Sequence, residues 1–305
     1  MARFSEQMQE HALDLAWSLW AELGVSGWRR MHSSHSIDPE LLILFTSFLR
    51  DADPRLRDES IDWCISYGRY VSAARLKNLL ATDTPEVNKA FGEFAATVNA
   101  HSGLRWPGPT QPHRFQRTGR SEVPDFRRPS LIALRIRALF GVGARAEIVR
   151  AFVADPSMSL SAADLAVEAG YTKRNVAEAL DALRMAGLLE AVPVRNQLRY
   201  RLARPAELVS LLRELPSSFP RWRSIFRIIE RLLQTAQRGE NLTPTVRAVE
   251  AAKLLHDLEY DLRAVAAPGP ATDRDQDQWG GLERWAVDIT RAWASGSTEF
   301  AGSRR

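Results

Sequence analysis

The chain has 305 residues, of which 45% are hydrophobic and 26% charged, and its formal net charge is +4. These are ordinary values for a globular protein, so a wholly disordered chain is excluded, and the length allows two or three compact units. The single cysteine excludes an intramolecular disulfide and a thiolate cage for a metal, and no run approaches the ~18 uninterrupted apolar residues of a transmembrane helix.

Charge is distributed unevenly along the chain. Residues 105–205 hold 17 basic and 9 acidic side chains, whereas residues 1–104 hold 10 and 14, and residues 206–305 hold 14 of each. A basic middle between flanks that are not basic suits one anionic partner bound by one module. The middle of the chain is therefore where we expect the functional site.

The first 104 residues are predicted to form an all-helical domain. Apolar residues recur there at helical spacing, and Gly24 terminates the first helix. Asp-Pro pairs at 38–39 and 53–54 provide start signals for the next two helices, because proline suits the first helical position. The predicted helices span residues 5–23, 39–50, 54–67, 72–81 and 85–100.

Residues 105–130 are predicted to be a basic, proline-rich linker or arm. Five prolines and six arginines fall in this segment, and its apolar residues show no period. The arginines either keep a flexible linker in solution or contact DNA, and the sequence favours neither reading.

Residues 131–205 carry the strongest local signals. Ser161 and Asp164 have the spacing of a capping box at the start of a short helix. Gly170 permits the left-handed backbone of a tight turn, and Thr172 can cap the helix that follows. The predicted helices of this module span residues 131–140, 144–154, 162–169 and 173–186.

A β-hairpin is predicted directly after the fourth of these helices. Short runs of apolar and β-branched residues indicate its strands, and the loop between them is basic. Strand alternation places Arg199 and Arg201 on one face and Tyr200 on the other. The strands are predicted at residues 188–192 and 198–202, with the loop at 193–197.

Four sequence segments of this module resemble segments of known proteins. They are Ser-Ala-Ala-Asp-Leu-Ala at 161–166, Gly-Tyr-Thr-Lys-Arg-Asn-Val at 170–176, Leu-Arg-Met-Ala-Gly-Leu-Leu-Glu at 183–190 and Arg-Tyr-Arg-Leu at 199–202. With these segments the module resembles the winged helix-turn-helix of the ArsR and MarR kinds of bacterial transcriptional regulator, over about a quarter of the chain. The resemblance implies binding to double-stranded DNA, with the last helix in the major groove. The paired cysteines or histidines of an ArsR-type metal site are absent.

The candidate DNA contacts lie on the fourth helix of the module and on the hairpin. Lys173, Arg174 and Asn175 occupy the first helical turn, where arginine or lysine can pair with guanine and asparagine with adenine. Glu178 follows Arg174 by four residues, so we expect an ion pair within the helix, with recognition of cytosine as the alternative. The candidate contacts are Thr172, Lys173, Arg174, Asn175, Glu178, Arg195, Asn196, Arg199 and Arg201.

Residues 206–305 are predicted to be a helical region that serves dimerisation or partner binding. Symmetric operators imply a two-fold dimer, and the two longest helices of this region, at 220–238 and 243–265, are the candidate contact. A break rich in proline, glycine and aspartate follows them. The other predicted helices span residues 206–215 and 282–294, and the break spans 266–278.

Nothing in the sequence points to catalysis. The six histidines are scattered, and the pair His32 and His35 has only Asp38 nearby, so a polar loop explains it better than a zinc site. A glycine-rich phosphate loop and a nucleophile elbow are both missing. We expect no enzyme, no cofactor, no metal and no membrane association. The first residues lack a signal-peptide layout, so we expect a cytoplasmic protein.

The sequence thus predicts a mainly α-helical protein with a central winged helix-turn-helix and a small β-hairpin, flanked by N-terminal and C-terminal helical regions. Three functions stay open. The first is a homodimeric transcriptional regulator that binds double-stranded DNA. The second is an antitoxin or phage-defence component that binds its own promoter and neutralises a partner protein. The third is a winged-helix scaffold that binds protein without touching DNA.

Overall fold

The computed structural model describes residues 3–27, 29–122, 125–270 and 277–297. Over these residues the protein is mainly α-helical, with one small antiparallel sheet of three strands, so the predicted mainly helical class is confirmed. Within this described part, every helix is too short or too polar to cross a membrane.

The five predicted N-terminal helices are all present, with ends that differ from the prediction by at most two residues. Side chains at the start of the last four accept hydrogen bonds from backbone N–H groups of the first turn, and these capping residues are Asp38, Asp53, Ser72 and Thr84. The helices are α1 (Phe4–Leu23), α2 (Pro39–Phe48), α3 (Pro54–Tyr67), α4 (Ala73–Leu80) and α5 (Pro85–His101). A short 3-10 helix, Gly68–Tyr70, joins α3 to α4.

The proline-rich segment, residues 103–128, contains neither helix nor strand in its described part. It lies along α3 and α5. Trp106 is buried and stacks with Phe91 of α5, with ring centroids 6.2 Å apart. Farther along, the N–H of Gly119 donates to the Asp62 carboxylate at 3.1 Å. Packing and hydrogen bonds therefore hold this segment against the N-terminal helices.

The middle of the chain contains the predicted helices and the hairpin. The hairpin strands are longer and the loop is shorter than predicted, because pairing continues to Val194 and Gln197 and leaves only Arg195 and Asn196 in the loop. Arg195 adopts a left-handed backbone with φ of 54°, which lets a two-residue loop close. The elements are α6 (Ile132–Phe140), α7 (Ala144–Ala154), α8 (Ala162–Ala169), α9 (Lys173–Met185) and two strands, Leu189–Val194 and Gln197–Leu202.

A further strand, Leu160–Ser161, is not predicted by the sequence. In chain order this strand is β1, and the hairpin strands are β2 and β3. It pairs with β3, so the order in the sheet is β1-β3-β2. Two residues are too few to show an alternating pattern, so β1 leaves no local signal. Because β1 leads directly into α8, it ties the hairpin to the helices.

The C-terminal region is helical, with one correction to the prediction. The single helix expected at 243–265 is two helices, because the chain turns at Leu258, which is completely buried. The predicted break at 266–278 lies partly outside the described residues, since 271–276 are not described. The helices are α10 (Pro205–Leu212), α11 (Trp222–Gly239), α12 (Pro244–Asp257), α13 (Glu259–Ala264) and α14 (Gln278–Ala294).

The described residues form two hydrophobic cores. The larger core combines helices from both ends of the chain, and Phe45 of α2 stacks on Phe226 of α11 with ring centroids 4.3 Å apart. The smaller core is built by α6 to α10 and the sheet. We call α1 to α5 with α11 to α14 the helical body, and α6 to α10 with the sheet the central module.

The packing of α11 restricts its predicted dimer contact to the polar face of the helix. Its apolar face, which includes Ile228, Ile229 and Leu232, is fully buried in the chain's own larger core. A face used within the chain is not available to a second copy. On α12, by contrast, Val246 and Val249 are exposed.

Charged side chains lie where the helical body meets the central module. Arg75 donates to the Asp38 carboxylate at 2.6 and 2.7 Å and to Glu40 at 2.8 Å. From the module, Arg137 donates to Glu40 and to Glu147 at 2.7 Å each. We call these groups the charge cluster, whose members are Asp38, Glu40, Arg75, Arg137, Glu147 and Arg150. It holds three charges of each sign, which satisfies the need of buried charges for partners.

Candidate nucleic-acid interface

The turn between α8 and α9 is formed by the capping groups that the sequence predicts. The N–H of Asp164 donates to Ser161 Oγ at 3.2 Å, and the N–H of Ser161 donates back to the Asp164 carboxylate at 3.0 Å. Gly170 has a left-handed backbone with φ of 68°. Thr172 Oγ1 then accepts from the N–H of Asn175 at 3.3 Å and starts α9. The predicted capping box, turn and cap are therefore confirmed.

The helical body holds the turn between α8 and α9 from the side of α4. Arg75 Nε donates to the carbonyl of Ala169 at 2.9 Å, and the side-chain amide of Asn78 donates to the carbonyl of Gly170 at 3.1 Å. The Tyr171 hydroxyl is 2.6 Å from Ser72 Oγ. These bonds fix the direction in which α9 leaves the turn. The sequence does not reveal them, because their partners lie far apart in the chain.

The first turn of α9 carries its candidate contacts on the outside. Lys173, Arg174 and Asn175 are exposed, as is Thr172 before them. The opposite face of α9 packs into the smaller core with the four residues that the helical period selects, which are Val176, Ala179, Leu180 and Leu183. The amphipathic pattern of α9 therefore directs the polar groups of its first turn to solvent.

Glu178 forms the ion pair that its spacing predicts. Arg174 Nε donates to a Glu178 carboxylate oxygen at 3.0 Å, within one face of α9. The two side chains are 88% and 68% exposed, so water screens this pair and it contributes little stability. A competing anion could displace Glu178 from Arg174 at small cost.

The hairpin strands present one polar face and one buried face. Tyr200 is buried, whereas Arg201 is exposed and donates to the Glu190 carboxylate at 2.9 Å across the strand pair. Arg199 lies on the same face as Arg201 but is half-buried, because its guanidinium donates to the carbonyl of Ser159. The predicted alternation is confirmed, yet Arg199 is less available than Arg201.

The tip of the hairpin is basic and exposed. Arg195 and Asn196 both face solvent, and among the residues that the structure describes Arg195 meets no carboxylate. The same holds for Lys173 at the start of α9. These two cations are therefore free to approach an anion without breaking an existing ion pair.

The overall charge of the region is modest. Residues 160–204 include seven basic and five acidic side chains. Arg184 lies 3.8 Å from Asp181 on α9, so this arginine is also paired. Arg204, which the sequence pattern does not single out, follows β3, is 72% exposed and lies 3.5 Å from the Glu207 carboxylate. Its only sequence signal is its place next to the arginines of the hairpin.

The histidine pair lies in the loop between α1 and α2, as predicted. His32 and His35 are nevertheless buried, with ring centroids 5.4 Å apart. His32 is enclosed because its ring has hydrogen-bond partners in the core, at Ser18 Oγ and the carbonyl of Trp293. Over the described residues, no three potential ligands among His, Cys, Asp and Glu come together in a way that could hold a metal ion.

The exposed polar groups of α9 and the hairpin can donate hydrogen bonds and carry positive charge, and they offer no nucleophile with an activating base. Chemically, they suit recognition of an anion. Comparison with protein-family models, with characterised proteins and with solved structures yields no match for this chain.

Proposed function

We propose that the central module is a winged helix-turn-helix that binds double-stranded DNA and regulates transcription. The observation that carries this proposal is the exposure of Lys173, Arg174 and Asn175 on the first turn of α9, the helix that follows a capped turn. In proteins of this architecture the corresponding helix enters the major groove, and its first turn meets base edges.

The chemistry of that turn fits the edges of bases. Arg174 and Lys173 can donate to guanine, and the amide of Asn175 can pair with adenine. The N-terminus of α9 adds unpaired N–H groups and a partial positive charge that favour a phosphate nearby. Glu178 opposes this arrangement, because its carboxylate is paired with Arg174. The pair must break when the arginine meets DNA, and this requires little free energy because both side chains are exposed.

The hairpin would act as the wing. Arg195 at its tip has no ion pair with a described residue, and Arg201 is held only by the exposed carboxylate of Glu190. Both could contact phosphates, which position a protein on the duplex without reading sequence. Arg199 would support the wing through its bonds to Ser159 rather than contact DNA.

A second function is favoured by apolar side chains at the hairpin tip. Val192, Val194 and Leu198 are 37%, 44% and 48% exposed. Exposed apolar groups on a short hairpin can bind protein, as expected for a scaffold or for a module that neutralises a partner. The experiments below distinguish this function from DNA binding, because they replace charged groups and leave the apolar ones in place.

Selection of bound fragments from a random duplex pool, followed by gel-shift titration, tests DNA binding. Arg174→Ala should weaken binding to the selected site by about 1–3 kcal/mol, since it removes a bidentate base contact. Arg263→Ala is the matched control, because Arg263 forms the same kind of exposed pair, with Glu259 four residues away on α13. An enriched site whose affinity falls equally in both variants, or no enrichment at all, would exclude α9 as the reading helix.

The contribution of the wing to DNA binding is measured by how the affinity for DNA depends on salt concentration. Replacing Arg195 and Arg201 together by alanine should reduce the slope of log affinity against log salt by about 2, since each phosphate contact contributes about 0.9. Arg263 and Arg291, both exposed and outside the module, provide the control double variant. If the slope of the hairpin variant equals that of the control, the wing does not touch phosphate.

A further inference from the structure

A cleft of about 310 Å³ opens between the helical body, the proline-rich segment and α6. Its walls come from the end of α3, from the 3-10 helix Gly68–Tyr70, from the last residues of the proline-rich segment and from the first turn of α6. None of the residues that line it belongs to α9 or to the hairpin, so the cleft is separate from the candidate DNA contacts.

Three aromatic rings line the cleft, those of Tyr67, Tyr70 and Phe126. Tyr70 and Phe126 meet edge to face, with ring centroids 4.9 Å apart and planes at 87°. All three side chains are only partly buried. Rings exposed in a concave site offer apolar faces and edges against which another flat ring can pack.

Positive charge surrounds these rings. Arg69 is exposed, and its guanidinium lies over the Tyr70 ring at 4.9 Å from the centroid. Arg127 is 83% exposed and donates to Asp125, the one carboxylate among the described residues that line the cleft, at 3.0 and 3.1 Å. With Arg135 the lining holds three guanidinium groups against one carboxylate, so the cleft attracts anions.

Arg135 joins the walls of the cleft. Its guanidinium donates to the carbonyls of Phe126 and Arg128 in the proline-rich segment, and to those of Leu212 and Glu214 after α10. Four carbonyls accept from a group with five N–H donors, which leaves one donor for a ligand. Over the described residues no carboxylate lies within ion-pair distance of Arg135, although Glu214 and Asp125 are near enough to act on its charge.

We propose that this cleft binds a small ligand in which an aromatic ring carries an anionic group, either a phosphate or a carboxylate. The ring would pack against the tyrosines and Phe126, while the planar guanidinium groups of Arg69 and Arg127 would take the anion in the forked geometry that suits both groups. The volume lies at the lower end of the ~300–1,000 Å³ range of small-molecule sites, which indicates a ligand of one or two rings. This site does not depend on the proposed DNA binding.

Isothermal titration of the full chain with paired fragments tests the proposal. The probes are phenyl phosphate and benzoate, which join ring to anion, and inorganic phosphate, acetate and benzamide, which supply only one part. The tighter of phenyl phosphate and benzoate should bind at least about tenfold more strongly than its separate parts, because both kinds of contact form together. Whichever of the two binds more tightly identifies the anionic group.

Variants of two adjacent exposed groups should act in opposite directions. Arg127→Gln should weaken binding of the tighter probe about tenfold, since it removes a charge-assisted contact. Asp125→Asn should strengthen binding, because it frees Arg127 and removes the only carboxylate of the lining. Arg114→Gln, an exposed arginine of the same segment outside the cleft, is the control and should leave affinity unchanged.

Three results would overturn the proposal. They are the absence of saturable binding for both ring-bearing anions, equal affinity for the tighter of the two and for its anion without the ring, and an equal loss in the Arg127 and Arg114 variants. Circular dichroism of each variant confirms that the fold is intact, which the exposure of all three positions leads us to expect.

Discussion

His32 shows how one buried side chain makes stability depend on pH. Its Nε2 is 2.9 Å from the carbonyl of Trp293, which can only accept, so Nε2 carries the hydrogen and Nδ1 accepts from the Ser18 hydroxyl. Burial lowers the pKa of His32 from 6.5 to about 4, although the bond to the Trp293 carbonyl acts in the opposite direction. The ring is therefore neutral in the folded protein at neutral pH.

The free energy of unfolding should consequently decrease as the pH falls. Between pH 6.5 and about 4 the unfolded chain binds a proton at His32 that the folded chain does not, so up to about 3 kcal/mol of stability is lost as the pH falls through this window. Urea unfolding at several pH values measures this loss. His32→Gln keeps a hydrogen-bonding side chain without the titration, and its stability should fall less steeply with acid. An unchanged slope in this variant would contradict the assignment.

Two glycines with the same backbone conformation differ in their surroundings. Gly170 has φ of 68°, and a Cβ there would lie 3.3 Å from Arg75 Nε, whereas Gly119 has φ of 65° with nothing within 4 Å. Alanine at either position bears the left-handed backbone cost of about 1–2 kcal/mol. Gly170→Ala should cost more, since it also pushes against a buried arginine that is held by four hydrogen bonds to three residues. Equal losses of unfolding free energy in urea would show that the Arg75 side chain moves away from the new methyl group without loss of stability.

Local signals at single elements explain why so much of the central module is predictable from sequence. A capping box, a left-handed glycine and a helical apolar period each act within a few residues, so Ser161, Gly170 and Thr172 can be assigned without knowing the fold. Elements set by distant packing are not predictable in this way. The strand β1 pairs with β3, whose partner residues lie about 40 positions away in the chain, and Leu258, where the chain turns, is buried in the larger core.

Two threonines show that a threonine before a helix does not always cap it. Both precede a helix start, yet Thr172 accepts a hydrogen bond from the N–H of Asn175, whereas the side chain of Thr243 accepts none at the start of α12. Thr172→Ala should therefore lower the unfolding free energy by about 1 kcal/mol. Thr243→Ala is the matched control and should change it by no more than a few tenths. Equal effects, measured by urea unfolding, would mean that the cap bond of α9 contributes nothing.

At the scale of the whole molecule, the charge cluster joins the helical body to the central module. Its members come from α2 and its capping residue Asp38, and from α4, α6 and α7. All except Asp38 look from the sequence like ordinary polar residues of a helix. Only the packing of the two units brings three arginines and three carboxylates together. The orientation of α9 depends on this boundary, because Arg75 binds both Asp38 and the carbonyl of Ala169 in the turn.

Charge balance in the cluster can be tested by removing one charge and then its partner. Arg75→Met leaves three carboxylates facing two arginines, so it should lower the unfolding free energy by about 3–5 kcal/mol, the usual cost of an uncompensated buried charge. Adding Asp38→Asn restores equal numbers of each sign and keeps a residue that can cap α2. The double variant should therefore be more stable than Arg75→Met alone. Additive losses would show instead that the cluster acts through packing, because independent sites do not compensate each other.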